Sequence, residues 1–574
     1  MPSRRSAALF GSALAKPIVL ATLLAMVVAT TSLARADAVV TLCHTADESG
    51  PGTNLQTALT AARDLNRPFN SIFFQCNGPA TIQVTNPLEI FQATKIDGGN
   101  TVTLVGNNTK SLIVVANPGN FLYLYNLTLR HPAAQRITCI NWMTSGCEGR
   151  IVAGQGFTML HHVTIDSTNN PIAVTSGTLV IEDSLFTGNS EAVIVAAPKV
   201  TSTTITRSLF QDNLGSPIEA TGTIAITDTR FVHNGHSELG APCNATVDRA
   251  QFFDNQSSFG GALTVNCDAT ISHSVFTSNF STGFGGAIWI FPGAATVTQR
   301  ADTFENNTAG PGGGTVFWVP ASLPLRQLNL LHTNFTRNKG TVGGAIDFES
   351  PGSANGKSVI NAGVVSFSHN TASGSGGAIN AAQTELRVAR GIFADNTSGA
   401  NGGAVFINNT SALHSTLANA LFVRNAAASG SAFYGDDADF INSTIDSNKG
   451  QAIANVAPHA PNHIRFVNSI VSNNPQGGCG PAGLFDDGGN NLQFPAADCG
   501  ASISVANPGF DTFYIPIPNS PPRGKGNLSV CMSPPISGRD VYGLGRPSGG
   551  VCTIGAAEGD INLIVNQRKG KGGR

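Results

Sequence analysis

One spacing of apolar and polar residues recurs along the middle of the chain. An apolar residue, usually Phe, is followed three positions later by Asn, and successive copies lie 21 to 32 residues apart. A Gly-Gly-Ala segment with an aliphatic residue behind it follows many of these Asn residues. Two motifs that return together at such a period indicate a solenoid of stacked units. The pairs are Phe186/Asn189, Phe210/Asn213, Phe231/Asn234, Phe252/Asn255, Phe276/Asn279, Phe304/Asn307, Phe335/Asn338, Phe367/Asn370, Phe393/Asn396, Phe422/Asn425, Ile445/Asn448 and Ile470/Asn473, and the glycine motifs begin at Gly260, Gly285, Gly343, Gly376 and Gly402.

The segments between these motifs are short and carry β-branched residues at alternate positions, such as Ile271 and Val275, which is typical of strands. Segments of helical length and periodicity are missing there, which disfavours helical or leucine-rich solenoids. Three short strands and three turns fit one repeat. The sequence therefore predicts an all-β fold, a right-handed parallel β-helix of the pectate-lyase-like solenoid class.

Both motifs have a structural explanation in such a coil. The Phe residues are expected to stack inward, while Asn occupies a bend where its amide can bond neighbouring backbone. The glycine pair supplies a tight turn with positive φ and no Cβ to clash. We therefore assign both ladders to the scaffold and look for function elsewhere.

The two ends of the solenoid are expected to be covered, because open coils expose unpaired strands. Residues 54–65 carry apolar side chains at helical spacing and predict an N-terminal capping helix. Residues 476–560 lose the repeat and are rich in Cys, Pro and Gly, which predicts a disulfide-stapled C-terminal cap. The predicted organisation is a signal peptide at 1–36, an N-terminal cap and first coils at 37–110, β-helix repeats at 111–475, the C-terminal cap at 476–560 and a basic tail at 561–574.

The N-terminal segment has the features of an export signal. Basic residues precede an apolar run at 18–29, and Ala34-Arg35-Ala36 provides the small residues that precede cleavage before Asp37. A retained membrane anchor is the alternative, but about a dozen apolar residues are fewer than the roughly 20 that span a bilayer. No later segment resembles a transmembrane helix, so the mature protein is expected to be secreted, extracellular, cell-surface or periplasmic.

The composition of the chain limits the classes of partner that it is expected to bind. Charged residues make up only 12% of the chain and the net charge is -2, so no basic surface is predicted for nucleic acid. All ten Cys follow the proposed cleavage site. In an exported chain this favours disulfides over metal ligation, and no metal site or cofactor is predicted. Pairing of sequence neighbours is one possible connectivity, which would join Cys43 to Cys76, Cys139 to Cys147, Cys243 to Cys267, Cys479 to Cys499 and Cys531 to Cys552.

The motifs resemble a known group of exported proteins. The Phe-x-x-Asn and Gly-Gly-Ala-Ile pairs are similar to the repeats of polymorphic outer membrane proteins, and residues 54–62 resemble the opening of exported right-handed β-helix proteins. The closing segments, residues 540–547 and 552–558, are similar to the end of choice-of-anchor β-helix proteins. The resemblance implies a cell-surface or extracellular β-helix and brings no catalytic constellation with it.

One column of outward residues is a candidate binding surface. If the aliphatic residue after each Gly-Gly-Ala points inward, the next residue points outward. The column contains Thr264, Trp289, Phe317 (whose alignment is uncertain) and then Asp347, Asn380, Phe406 and Tyr434. On a flat, exposed sheet, Trp289, Asp347, Asn380, Phe406 and Tyr434 would be the candidates to bind a polysaccharide or cell-surface glycan. The interpretation we favour is that loops fold over this face and bury the aromatic side chains.

Many β-helix proteins cut polysaccharides, so catalytic acids are the other possibility. The residue series typical of pectate lyases and polygalacturonases are missing from this sequence. Asp347, Asp436, Asp437 and Asp439 are the candidate acids if the chain is a lyase or glycosidase, and paired carboxylates in a groove would favour hydrolysis. The sequence thus favours a non-catalytic binding or adhesion protein, with an extracellular polysaccharide lyase or glycosidase as the alternative.

Overall fold

The computed structural model describes most of the chain between the predicted signal peptide and the basic tail. Residues 1–35 and 559–574 lie outside the described part, and so do Cys139 and Cys147. The described residues are 36–558 without 64–68, 108–111, 116–119, 131–151, 167–171, 191, 236, 292, 311–312, 319–324, 350–356, 410–412, 456–462, 482–483 and 547–549. Within them no helix is long and apolar enough to cross a bilayer.

The fold is the expected right-handed parallel β-helix, because every pairing between its strands is parallel and joins one coil to the next. Each coil contributes strands to three main parallel sheets, and some coils also contribute to a fourth, short sheet. The Phe sheet carries the Phe ladder and contains Ala80–Val84, Leu185–Thr187, Leu209–Gln211, Arg230–Val232, Gln251–Phe253, Val275–Thr277, Thr303–Glu305, Asn334–Thr336, Val365–Ser368, Gly391–Ala394, Ala420–Val423, Thr444–Asp446, Ile470–Ser472, Leu492–Phe494 and Ser504–Val505.

The Gly-Ala sheet is formed by the strands that follow the glycine motifs and their counterparts in other coils. It precedes the third sheet in each coil, and a short sheet lies between the Phe and Gly-Ala sheets. The Gly-Ala sheet contains Leu88–Ile90, Ile113–Val115, Leu263–Val265, Ile288–Ile290, Val316–Trp318, Ile346–Glu349, Ile379–Ala382, Val405–Asn408, Phe433–Gly435, Ile453–Asn455 and Cys479–Gly480. The short sheet contains Gln256–Phe259, Phe280–Phe284, Thr308–Ala309, Lys339–Gly340, Thr371–Ala372 and Thr397–Ser398.

The third sheet closes each coil and leads back to the Phe sheet. It contains Ala36–Val40, Asn70–Phe74, Asp268–Ser272, Thr296–Arg300, Leu325–Leu331, Lys357–Gly363, Thr384–Val388, Ser415–Ala418, Ala438–Ile441, Ile464–Val467 and Phe485–Asp487. In the N-terminal half, long strands bend across more than one sheet. These are Thr94–Gly106, Phe121–Arg130, Val152–Asp166, Ile172–Glu182, Ile194–Thr206, Ile218–Thr227 and Ser237–Asp248.

The Phe ladder fills the core. Ten Phe side chains from Phe186 to Phe422 are buried and lie in register on consecutive coils. Neighbouring rings stack with centroids 4.6 to 5.1 Å apart. That spacing equals the separation of paired strands, so coil stacking and ring stacking reinforce each other.

The Asn ladder runs beside the Phe ladder and is bonded along its whole length. Asn255, for example, donates from Nδ2 to Asn279 Oδ1 at 2.9 Å and to Phe231 O at 3.1 Å, and its backbone N–H donates to the same Oδ1. The last predicted pair, Ile470/Asn473, is wrong by one residue. Ile445 pairs in register with Val471, and Asn474 is the residue that bonds Asn448.

The glycine pair is required at both positions. The first glycine has positive φ, 61° at Gly260 and 66° at Gly285. A Cβ on the second glycine would collide with the next coil, since on Gly261 it would lie 2.2 Å from Gly286 O. The turn is therefore both left-handed and closely packed.

A short helix covers the N-terminal end. Asn54 caps it by accepting the Thr57 N–H at 2.6 Å, and the helix, Leu55–Ala61, buries Leu55, Ala58 and Leu59 in the core. It ends earlier than the predicted residue 65. A disulfide between Cys43 and Cys76 staples the first coil.

The C-terminal region continues the solenoid and then doubles back. Strands at Cys479–Gly480, Phe485–Asp487, Leu492–Phe494 and Ser504–Val505 extend the coils, and a helix at Leu528–Met532 follows. The returning segment packs Ile515, Val541 and Leu544 on Leu421 and Val423, outside the Phe sheet. The predicted disulfides Cys479–Cys499 and Cys531–Cys552 lie in this region. Cys267 is also disulfide-bonded, while the side chain of Cys243 lies outside the described part.

A buried ion pair closes the returning segment. Arg546 donates to Glu558 Oε2 at 3.1 Å and to the Gly555 carbonyl at 2.6 Å, and both side chains are buried. Asp540 accepts the N–H groups of Leu544 and Glu558. The closing motif seen in the sequence is therefore a polar lock, in which Glu558 pairs with the buried guanidinium and Asp540 satisfies the backbone turns around it.

Candidate functional site

The outward residues of the Gly-Ala sheet form one column in register. Pairing runs from Thr264 through Trp289, Phe317, Asp347, Asn380 and Phe406 to Tyr434, one residue per coil. The uncertain alignment of Phe317 is thereby resolved. The column continues toward the N-terminus through Glu238 and Glu219.

The expectation that this column is flat and exposed is wrong for its central part. Asp347 and Asn380 are only 1% and 5% exposed, and Thr264 and Phe317 are equally buried. The cause is the left-handed glycine turn, which folds the preceding segment back over the strand. Thr264 Oγ1 donates to the Phe259 carbonyl at 3.3 Å, and Phe284 stacks on the Phe317 ring at 4.6 Å.

Asp347 is a buried acid paired with an amide. Its Oδ1 accepts a hydrogen bond from Asn380 Nδ2 at 2.6 Å, and its Oδ2 has no partner among the described residues. Burial raises the pKa of the Asp347 carboxyl well above its ordinary value. Burial thus disfavours the ionised form of this carboxyl, which is the form that a general base or nucleophile needs. Asp347 and Asn380 therefore do not lie on an open surface, and their role as ligand residues stays a prediction.

Trp289 lies in a cluster of aromatic side chains. Its ring centroid is 4.6 Å from that of Phe259 and 3.8 Å from that of Phe291, and Phe284 lies at 6.3 Å. Trp289 is half-buried, as the covered alternative predicted. Phe259 is 40% exposed, so the outer side of this cluster faces solvent.

Phe406 and Tyr434 form a separate part of the column. Both are half-buried, and their rings stack at 5.2 Å on consecutive coils. They are separated from Trp289 by the buried residues Phe317, Asp347 and Asn380. The proposed five-residue platform is thus divided into two aromatic areas.

The other candidate acids lie away from this column. Asp436 is buried at the turn before the third sheet, while Asp437 and Asp439 flank one imidazole. His414 Nδ1 lies 2.9 Å from Asp437 Oδ1 and His414 Nε2 lies 3.3 Å from Asp439 Oδ2. The hydrogen bond to Asp439, with that to Asp437, raises the pKa of His414 to about 9. One imidazolium therefore bridges the two carboxylates near neutral pH, an arrangement suited to holding two coils together.

Two acids that the sequence-based search missed stand side by side. Glu219 and Glu238 pair in register on consecutive coils, and both are half-buried. Burial and the nearby charge of Glu238 raise the pKa of Glu219. These coils lack the Gly-Gly-Ala motif, so the column was not extended to them. Counting from the inward residue would have found Glu219, which follows Ile218 as Trp289 follows Ile288.

Comparison with known proteins identifies the repeats. Residues 273–290 and 364–382 match the Chlamydia polymorphic membrane protein repeat. Each match spans one Phe/Asn pair and one Gly-Gly-Ala-Ile motif, and the resemblance of these repeats to those of polymorphic membrane proteins is confirmed.

One solved structure gives a weaker likeness. The surface protein and adhesin PfbA of Streptococcus pneumoniae is similar at 9% identity over 81% of this chain and 100% of that chain, with a TM-score of 0.21. So low a TM-score carries no argument about this chain. No curated protein matches the sequence.

Proposed function

We propose that this chain is an exported β-helix that binds a neutral glycan and is not an enzyme. The binding surface is the acid–aromatic strip, which consists of Glu219, Glu238, Trp289 and the overlying Phe259, with Thr264 buried beneath it. The observation that carries the proposal is the partly exposed Phe259 ring, packed on Trp289 in line with two carboxyl groups.

The chemistry of the strip favours a sugar chain. Aromatic rings present flat apolar faces to the C–H side of a sugar ring, and carboxyl oxygens accept hydrogen bonds from its hydroxyl groups. Adjacent coils lie about 4.8 Å apart, so the four column positions from Glu219 to Trp289 span roughly 14 Å. A glycan lying along the rod could contact the acids and the aromatic cluster at the same time.

The two acids also restrict the type of glycan. A polysaccharide that carries carboxylate or sulfate groups would be repelled by Glu219 and Glu238, because like charges at an interface are unfavourable. Phe406 and Tyr434 offer a second stacking position farther along the same sheet. Asp347 and Asn380 contribute in this proposal by packing beneath the covering segments, without contacting the glycan.

Export is part of the proposal. The predicted signal peptide, the disulfides and the polymorphic membrane protein repeats all support a location outside the cytoplasm. A rigid rod that displays its ligand surface along its side suits a surface or extracellular binding protein.

Screening the mature protein against neutral and acidic glycans tests the proposal. We expect binding to a neutral glycan that is lost in Phe259→Ala and weakened in Glu238→Gln. Phe121→Ala is the matched control, because Phe121 is a Phe of similar exposure, 44%, on a different sheet. Binding to acidic glycans alone, or equal loss in both Phe variants, would refute the strip as the site.

Hydrolysis of a glycan is the second candidate function, and the Glu219/Glu238 pair is what favours it. Two carboxyl groups on adjacent coils, one with a raised pKa, resemble the acid and nucleophile of a retaining glycosidase. Release of reducing ends by the wild type, abolished in Glu219→Gln while binding persists, would establish this function over simple binding.

A further inference from the structure

Two pairs of residues of metal-binding types form a square on the outside of the rod, at the corner between the third sheet and the Phe sheet. His161 pairs in register with Glu182 on the next coil, and His162 and Asp183 follow them in their respective coils. His162 and Asp183 have φ of 51° and 50°. This left-handed corner brings side chains of successive residues to the same outer surface, and the two imidazole rings lie 4.2 Å apart.

The donor atoms converge without satisfying one another. His161 Nδ1 lies 3.5 Å from Glu182 Oε2 and 3.8 Å from Asp183 Oδ2. That nitrogen is buried and has no hydrogen-bond partner among the described residues. One ligand atom each from His161, His162 and Asp183 all lie within 4.8 Å of one another.

These separations suit a bound cation better than a hydrogen-bonded cluster. Zinc bonds of 2.0 to 2.2 Å in tetrahedral geometry place ligand atoms roughly 3.4 Å apart. The distances from His161 Nδ1 to the two carboxylates are only slightly longer. Small side-chain movements would therefore bring all four groups onto one ion.

We propose that His161, His162, Asp183 and Glu182 bind a divalent transition metal of the zinc class. Imidazole nitrogens select zinc, copper or nickel over calcium and magnesium, which prefer oxygen ligands alone. Tyr125 lies on the preceding coil, and its ring packs 5.1 Å from the His161 ring, which supports the orientation of the imidazole.

Arg207 sets the strength of this site. It donates from Nε and Nη2 to both oxygens of Asp183 at 2.8 Å. The guanidinium thus orients the carboxylate but also competes with the metal for Oδ2. Removing it should tighten metal binding.

Calorimetric titration of tag-free, chelator-stripped mature protein with ZnCl2 tests the site. We expect one equivalent of zinc per chain, and an affinity reduced about tenfold or more in both His162→Asn and His161→Asn. His162 is exposed, so its variant should fold. Arg207→Ala should bind zinc more tightly than the wild type.

His233→Asn is the matched control. His233 also occupies a left-handed corner between two acids, with nitrogens 3.3 Å from Asp212 and 3.6 Å from Asp254, but its neighbours in sequence are Val232 and Asn234. Its replacement should leave the affinity unchanged. The absence of zinc binding, undiminished binding in both folded square variants, or an equal loss in His233→Asn would overturn the proposal. A visible Co²⁺ spectrum that disappears in His162→Asn would independently identify nitrogen ligation.

Discussion

Replacing Asp302 by Asn should change how the stability of the protein depends on pH. Asp302 is fully buried, and its carboxylate accepts the Ser274 N–H at 2.8 Å and the Arg300 N–H at 3.0 Å. Despite these bonds, burial raises the pKa of Asp302 to about 7 from its ordinary 3.8. In neighbouring coils a hydroxyl takes the same place, as when Ser274 Oγ accepts the Ala250 N–H.

The raised pKa of Asp302 determines the direction in which stability changes with pH. Between about pH 4 and pH 7 the folded protein retains a proton that the unfolded chain has lost, so the free energy of unfolding falls as pH rises and levels off above 7. The difference between the ordinary pKa of 3.8 and the folded-state pKa of about 7 corresponds to about 4 kcal/mol at most. For a rod of some 500 residues that unfolds as one unit, this is about 4 °C in Tm, and more if unfolding is local.

Thermal melts of the wild type and Asp302→Asn at several pH values between 4.5 and 8.5 measure this effect. The variant keeps one acceptor oxygen but cannot ionise, so its Tm relative to the wild type should increase from pH 4.5 to about pH 7 and level off above it. Asp268→Asn is the control, because Asp268 also accepts two backbone N–H groups, both at 2.8 Å, but is exposed. A Tm difference for Asp302→Asn that stays constant across this range would refute the reasoning.

Other predictions address the core, the C-terminal lock and the cross-links. Phe276→Ala should cost about 3 to 5 kcal/mol of stability through lost burial and a cavity, measured by denaturant unfolding, and a cost below 1 kcal/mol would contradict the stacked ladder. Glu558→Gln should leave the buried Arg546 without a charged partner and expose the returning segment to limited proteolysis, whereas wild-type resistance would show that the lock is dispensable. Thiol titration of the native protein should find no free Cys at the described positions, where every cysteine is disulfide-bonded, and reduction should lower the Tm.

Features that repeat could be predicted from the sequence. The Phe-x-x-Asn pattern, as in Phe276 and Asn279, recurs so often that aligning its copies predicted the coil, the inward-facing residue and the position of the bend. The error at Asn473 arose at a coil where an aliphatic residue replaces Phe, because two adjacent aliphatic residues, Ile470 and Val471, then fit the pattern equally well. The register of the column followed from the glycine motifs for the same reason.

Exposure could not be predicted in this way. Whether Asp347 faces solvent depends on the path of the segment before each glycine pair, and strand alternation contains no information about that path. The bridge from His414 to Asp437 and Asp439 joins residues 23 and 25 positions apart, which meet only when the register of two loops is known. The returning C-terminal segment has no repeat, so its docking on Leu421 left no periodic signal.

The Asn ladder has a consequence for how such a rod can change in length. Each amide within the ladder donates one hydrogen to the Asn of the next coil and the other to a backbone carbonyl of the preceding coil. Its oxygen accepts from the Asn of the preceding coil, so the bonding pattern at any coil is independent of the total number of coils. Whole repeats can therefore be duplicated or lost while every remaining amide stays satisfied. Inserting or deleting only part of a repeat would place an Asn side chain opposite a backbone segment, where it would lack the Asn partner of the ladder. The ladder thus allows the length of the rod to change in steps of one whole coil. It also leaves the loops between strands free to lengthen, as the spread of 21 to 32 residues per repeat illustrates.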